Sequence, residues 1–415
     1  MAEFNLPYGR GELTVSLPDE WHVELIAPKQ VLALPDPSAA VSRVLDNPVG
    51  GIRLFDLADA RSAAIAINDK TRYVPYPTLL PPLLRQLKAL GLAPEAITFL
   101  IATGSHVPMQ PDELDEVLPA EILGHYRVLS HDAHDRDNLV YVGKTERDTP
   151  VWINRHFSQA DLRIVTGNIE PHQFMGFSGG VKSAAIGLAG LETINHNHAM
   201  MSDSRARLGR FEDNPVRQDV EEIGRLIGVH FALNAILNDA KEILDVVAGE
   251  PEAVMQKGIS LARKLYQVEV AAPFDLMIVS PGGHPKDINL YQAQKGLAHA
   301  ALVTKDGGTI VLIAACPEGT GRHSYERWME GVTSYQAVFE RFQREGFRIG
   351  PHKAYQIARD AARVRVLFVT QMPSDLVRRL LLTPIGSPNE AIDVVSDGLA
   401  LEGPVANRDL RVGLM

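Results

Sequence analysis

The residues able to do chemistry in this chain fall directly after apolar runs. Residues 63–67 are followed by Asn68-Asp69-Lys70-Thr71-Arg72, and residues 97–102 by Thr103-Gly104-Ser105-His106. Residues 161–166 lead into Gly167-Asn168-Ile169-Glu170-Pro171-His172, and residues 274–279 into Ser280-Pro281-Gly282-Gly283-His284. Imidazole moves protons near neutral pH. An arginine can grip a carboxylate with two parallel hydrogen bonds. Two histidines beside Asp69 and Arg72 at strand ends are less easily dismissed as chance, so Asp69, Arg72, His106 and His172 are candidate site residues.

The segment from Gly167 to Ser183 is glycine-rich and ends on Lys182. Glycines before a helix can let backbone N–H groups converge on an anion, so a phosphate cradle at Ser178, Gly179 and Gly180 is one reading. A nucleotide P-loop fails at one position, because Val181 stands where its second glycine belongs. A plain strand-to-helix turn with a surface lysine is the alternative. Downstream, His196 and His198 form a His-x-His pair. Imidazoles bind nickel, zinc, copper and iron, although such a pair can also be two exposed side chains. His131 and His134 lie in a further polar segment and read as loop residues more readily than as a second metal cluster.

These side chains need elements to hold them. The apolar runs alternate with amphipathic stretches at helical spacing, such as residues 79–90, 215–227 and 251–267. That pattern predicts an α/β protein whose mostly parallel sheets are flanked by helices. Ligands bind such sheets beyond the carboxyl ends of the strands, where these polar segments lie. A length of 415 residues suggests more than one domain. The expected division is an N-terminal α/β domain over 1–270 and a C-terminal one over 271–415, with the active site in the cleft between them. A net charge of −10 argues against a nucleic-acid binder. Cys316 is the only cysteine, which rules out a disulfide within the chain and leaves little for a thiolate metal site. The N-terminus does not read as a secretory signal and no run reaches ~18 apolar residues, so a cytoplasmic protein without membrane contact is expected.

Pro171-His172, then Gly176-Phe177-Ser178-Gly179-Gly180-Val181-Lys182, Thr193-Ile194 and His198 resemble the signature of the lactate racemase family. Asp69 to Arg72 resembles that family's Asp-x-x-Arg motif. Thr103 to His106 resembles its Thr-Gly-x-His motif, and Tyr291-Gln292-Ala293-Gln294-Lys295 its Tyr-Gln-x-x-Lys motif. The order and spacing agree along nearly the whole chain. The resemblance implies a racemase or epimerase acting at C2 of a 2-hydroxy acid through a 2-keto acid. It implies nickel held by a pyridinium-3,5-bisthiocarboxylic acid mononucleotide pincer, which maturation enzymes make. Lys182 would carry the pincer covalently and His198 would ligate nickel. His106 and His172 would be the catalytic bases. Arg72 and Lys295 would hold the substrate carboxylate, Tyr291 and Gln292 would add polar contacts, and Asp69 would orient Arg72 or meet the ribose. Ser178, Gly179 and Gly180 would sit against the cofactor phosphate. Homo-oligomerisation stays open.

The chain departs from the family at two places. Ile186 stands where a proline is common. Residues 350–355, Gly350-Pro351-His352-Lys353-Ala354-Tyr355, lack the tryptophan of lactate-specific members; the three tryptophans are Trp21, Trp152 and Trp328. His352 or Lys353 in its place suggests a substrate larger or more polar than lactate, such as malate or a sugar acid. The competing readings are a metal-dependent lyase or hydrolase using the histidines directly, and a non-enzymatic carrier of the nickel cofactor. A nicotinamide-dependent dehydrogenase would want a G-x-G-x-x-G turn after a strand, and none is present.

Overall fold

A computed structural model describes residues 1–402 and 410–415. Contacts divide the chain into two units, Lys29–Gln267 and Met1–Pro28 with Val268–Met415.

The unit over Lys29–Gln267 is built on a six-stranded sheet. In spatial order its strands are Ile243–Gly249, Phe231–Leu237, Leu162–Asn168, Ala63–Asn68, Ile97–Ala102 and Arg127–Ser130. All neighbours are parallel except the edge pair Phe231–Leu237 and Ile243–Gly249. Central parallel strands are covered on both faces, which is why they read as unbroken apolar runs. Ile65, Ile67, Phe99 and Ile101 are fully buried in a core that also takes Leu79, Leu83 and Leu87 from the helix Tyr76–Ala89. The helix Pro251–Tyr266 packs on the edge pair. An antiparallel hairpin, Leu139–Lys144 with Pro150–Asn154, and the helices Leu191–Ala199 and Pro215–Leu226 complete the surroundings of the site.

The second unit carries another six-stranded sheet, in the order Thr383–Ile385, Arg365–Val369, Thr304–Ile313, Phe274–Val279, Arg411–Leu414 and His22–Leu25. Every pairing in it is parallel. The expectation of two α/β units with helix-flanked parallel sheets is met. The expected span of 1–270 for the first unit needs correcting at its start. His22–Leu25 forms the edge strand beside Arg411–Leu414. The hairpin Ala2–Tyr8 with Gly11–Leu17 buries Leu6, Val15 and Leu17 against Leu276, Ile278 and Val311. Residues 1–28 thus bury their apolar face on the C-terminal sheet, a pairing between opposite ends of the chain that local pattern does not encode. Among the described residues, no helix is long and apolar enough to cross a membrane.

Candidate active site

A cavity opens at the carboxyl ends of the first sheet, lined by Asp69, Arg72, Thr103, His106, His172, Ser178, Lys182, Ser183 and His198 among others. The strand Ala63–Asn68 delivers Asp69 and Arg72, Ile97–Ala102 delivers His106, and Leu162–Asn168 leads to His172. Lys182 opens a short helix, Lys182–Ala185, and His198 lies near the end of Leu191–Ala199.

One wall is a carboxylate–imidazole pair. His106 Nδ1 donates to Asp69 Oδ2 at 2.7 Å, and Thr71 donates to Asp69 Oδ1 from its hydroxyl at 2.6 Å and its backbone at 3.1 Å. Burial works against the Asp69 carboxylate, but the hydrogen bonds from His106 and Thr71, with the charge of His106, hold its pKa below the usual value. A neutral His106 therefore carries its proton on Nδ1 and keeps the lone pair on Nε2. To the expected roles of Asp69 the structure adds this one, the orientation of His106. Arg72 pairs with Glu170, at 3.5 Å. The Asp69–His106 contact joins residues 37 apart in sequence, and no local motif announces it.

The other two imidazoles pack on an aromatic ring. Phe174 meets His172 edge-to-face at 4.8 Å and His198 at 5.2 Å, so one ring steadies two imidazoles. The backbone N–H of Met175 donates to His172 Nδ1 at 3.3 Å. A neutral His172 in that arrangement carries its proton on Nε2, opposite to His106. Burial, with the charges of Lys182 and Arg72, pushes the His198 pKa down to about 3, so this imidazole is neutral at physiological pH. Burial is also the main reason that Lys182 titrates well below an ordinary lysine, with the nearby Arg72 and Arg217 charges adding to it. A neutral amine is the nucleophilic form.

Packing requires glycine at positions of this turn. A Cβ on Gly176 would lie 1.8 Å from the Arg210 carbonyl oxygen, and one on Gly180 would lie 2.5 Å from Met255 Cγ. The N–H groups of Phe177, Ser178 and Gly180 are spent on Met175, Glu170 and Asn234. Buried Arg217 ties the turn from behind, donating to the carbonyls of Phe177 and Gly179 at 3.1 Å each. Gly180 lies outside the cavity lining, whereas Ser178 and Gly179 belong to it. What the turn does present is hydroxyl. Ser178 Oγ and Ser183 Oγ are buried at the cavity wall without a hydrogen-bond partner.

The ambiguity between His196 and His198 is resolved by helical spacing. Two residues apart on Leu191–Ala199, they point to different faces: His198 lines the cavity, whereas His196 Nε2 meets the Arg147 carbonyl at 3.1 Å. His131 is a buried structural group, held by Asn154 Nδ2 at 3.2 Å and the Ala189 carbonyl at 3.0 Å, and His134 is exposed. In the second unit, Tyr291, Gln292 and Lys295 share the helix Leu290–Val303, where Lys295 Nζ donates to Gln292 Oε1 at 2.7 Å. Lys353, on Pro351–Ala361, sets its Nζ 4.6 Å from the centre of the Tyr291 ring. Burial, with the charges of Lys295 and Arg359, pushes the Lys353 pKa well down.

Two family models match the chain, the lactate racemase N-terminal domain over residues 8–209 and the lactate racemase C-terminal domain over residues 269–404. The lactate racemase of Thermoanaerobacterium thermosaccharolyticum is 30% identical over 100% of this chain and 97% of its own length. The lactate racemase of Lactiplantibacillus plantarum is 33% identical, covering 78% of this chain and 77% of its own. The solved lactate racemase apoprotein from T. thermosaccharolyticum superposes with a TM-score of 0.89 at 29% identity, covering 100% of this chain and 98% of that one. A Thermotoga maritima protein shares the fold at a TM-score of 0.64 and 18% identity, covering 94% and 100%. With both models and both relatives agreeing along the chain, the protein belongs to the lactate racemase family and is an isomerase.

Proposed function

We propose that the protein inverts C2 of a 2-hydroxy acid by way of a planar 2-keto acid, using nickel in a pincer nucleotide attached at Lys182. The observation that carries this reading is the convergence of His106, His172, Lys182, His198 and Arg72 on one cavity. The donor set suits such a cofactor. Lys182 offers an amine favoured in its neutral form, His198 a neutral imidazole, and Ser178 and Ser183 two hydroxyls with unused hydrogen-bonding capacity. Among the described residues, no group of three or more His, Cys, Asp or Glu side chains is arranged to hold a metal. A metal beside His198 would therefore draw its other ligands from a cofactor, which weighs against the lyase reading.

When bound, the pincer would supply an electrophile able to accept and return the C2 hydride. The protein handles the proton and the carboxylate. His106 Nε2 accepts the hydroxyl proton while Asp69 stabilises the resulting imidazolium. For the other face His172 would start as the imidazolium, give its Nε2 proton to the carbonyl oxygen as hydride returns and end neutral, so that the charge gained by His106 is lost by His172. The reverse reaction exchanges these roles. Arg72 holds the substrate carboxylate. Tyr291, Gln292 and Lys295 are assigned to cofactor and carboxylate by the family resemblance. Lys353 is assigned to a polar or anionic far end of the substrate, as in malate or a sugar acid.

The test is intact mass and metal content of protein co-expressed with pincer-making enzymes, beside Lys182→Ala. A mass increment and nickel are expected in the parent and absent in the variant. A chiral screen of 2-hydroxy acids with Lys353→Ala alongside then reports on the substrate. Loss on malate or sugar acids is expected, and an unchanged profile would remove Lys353 from substrate binding. No increment and no nickel, with a known family member maturing in the same host, would sink the pincer reading.

A further inference from the structure

Behind His198 lies a buried polar relay that the chemistry above does not use. Asn197, Asp219, Thr145 and Thr149 are all buried. They come from three elements: the helix Leu191–Ala199, the helix Pro215–Leu226, and the turn that joins Leu139–Lys144 to Pro150–Asn154. Thr145 Oγ1 donates to Asp219 Oδ1 at 2.6 Å, and Thr149 Oγ1 lies 3.0 and 2.9 Å from its two oxygens. Asn197 Nδ2 donates to Asp219 Oδ2 and to the Val216 carbonyl, both at 2.9 Å. Asn197 Oδ1 faces His198 Nδ1 at 3.0 Å.

The direction of every bond in this chain is determined. An Asn amide can be reversed in principle, and the choice is made by its neighbours. Reversal here would set Oδ1 against a carbonyl and a carboxylate, both acceptors, so Nδ2 must face them. Oδ1 then faces His198, and an amide oxygen only accepts. His198 Nδ1 must carry the proton, which leaves the lone pair on Nε2.

We infer that Asn197 is a positioning residue that locks His198 in the Nδ1–H tautomer, with Asp219 holding the Asn197 amide in the only orientation that does so. The functional consequence rests on the reading of His198 as the nickel ligand: the locked tautomer keeps Nε2 ready to bind metal. A partner on the far nitrogen of a ligating histidine both orients the ring and strengthens it as a donor. The amide passes on the influence of a carboxylate that does not itself touch the ring. It also explains a feature otherwise expensive in a folded chain, a carboxylate buried among neutral donors.

The experiment is long-range proton–nitrogen correlation NMR on the full-length chain without cofactor, labelled with nitrogen-15 at histidine. The His198 signals are identified by their loss in His198→Gln. The expected spectrum of the parent shows a protonated Nδ1 and an unprotonated Nε2. A parent with its proton on Nε2 overturns the inference, and this measurement needs no variant to fold. In Asn197→Leu the tautomer preference should disappear; its persistence would equally overturn the inference. Nickel affinity of pincer-loaded Asn197→Leu should fall ~10–100-fold. If the tautomer shifts while nickel affinity does not, the positioning role stands and the assignment of His198 as ligand fails.

Discussion

The two parallel sheets end in opposite ways. At the carboxyl ends of the first, loops carrying Asp69, His106, His172 and Lys182 stand apart around a cavity. At the carboxyl ends of the second, the turn of the N-terminal hairpin fills the corresponding place. Asp287 Oδ2 accepts from Gly9 N at 2.7 Å and from Ala315 N at 3.0 Å. Ser280 Oγ donates to the Pro7 carbonyl at 2.6 Å, and His284 N to the Gly9 carbonyl at 2.7 Å. Gly9 has φ +55°, and a Cβ there would already touch Ala315 at 3.4 Å. The rule that ligands bind beyond the carboxyl ends of strands names a place where a site can form. Whether one forms depends on what the rest of the chain puts there. In the first sheet polar groups are left around a cavity, whereas in the second the backbone is tied to a buried carboxylate that keeps only its Oδ1 without a partner.

That contrast can be broken from either side. The largest effect is expected at the open end. His106→Ala in the cofactor-loaded protein should lower turnover ~10²–10⁴-fold with nickel content unchanged. Turnover within a few-fold of the parent would remove His106 from proton transfer. At the closed end, Asp287→Ala strands the N–H groups of Gly9 and Ala315. At ~1–3 kcal/mol for each donor left unsatisfied, denaturant unfolding should register a loss of about 2–6 kcal/mol. A loss below ~1 kcal/mol would mean that water reaches these groups and the end is not sealed.

The smallest effect has the opposite sign. Lys182→Met in the cofactor-free protein should raise stability by about 0.5–2 kcal/mol, because the open end holds a lysine for chemistry at the expense of folding. The folded pKa of Lys182 lies below its unfolded value. Its penalty is thus complete below the folded pKa and is relieved as pH rises toward the ordinary lysine value. The gain from Lys182→Met should therefore be greatest at low pH and shrink on the alkaline side. A gain that grows with pH would contradict the cause assigned here.

Much of this molecule was legible before any coordinates. The runs at residues 63–67, 97–102 and 274–279 are buried strands because parallel strands covered on both faces admit only apolar side chains. The polar segments after the first two line the cavity, and the one after the third does not. Legibility failed where one residue type serves two ends. The glycines of 176–180 read as a place for an anion, and the structure adds a second reason for them in the crowding by Arg210, Ile169 and Met255. His196 and His198 were equivalent until a helix turned them to different faces.

The sequence by itself determined the elements, their order and the family, because strand burial, helix periodicity and motif spacing are local properties. Only the tertiary structure decided the pairings between distant residues. It joined residues 1–28 to the last sheet, His106 to Asp69, and Asn197 to Asp219. The physical reason is that a hydrogen bond or a buried face depends on which groups meet in space. A polar side chain at a strand end is compatible with many partners until the sheet has brought one of them within 3 Å.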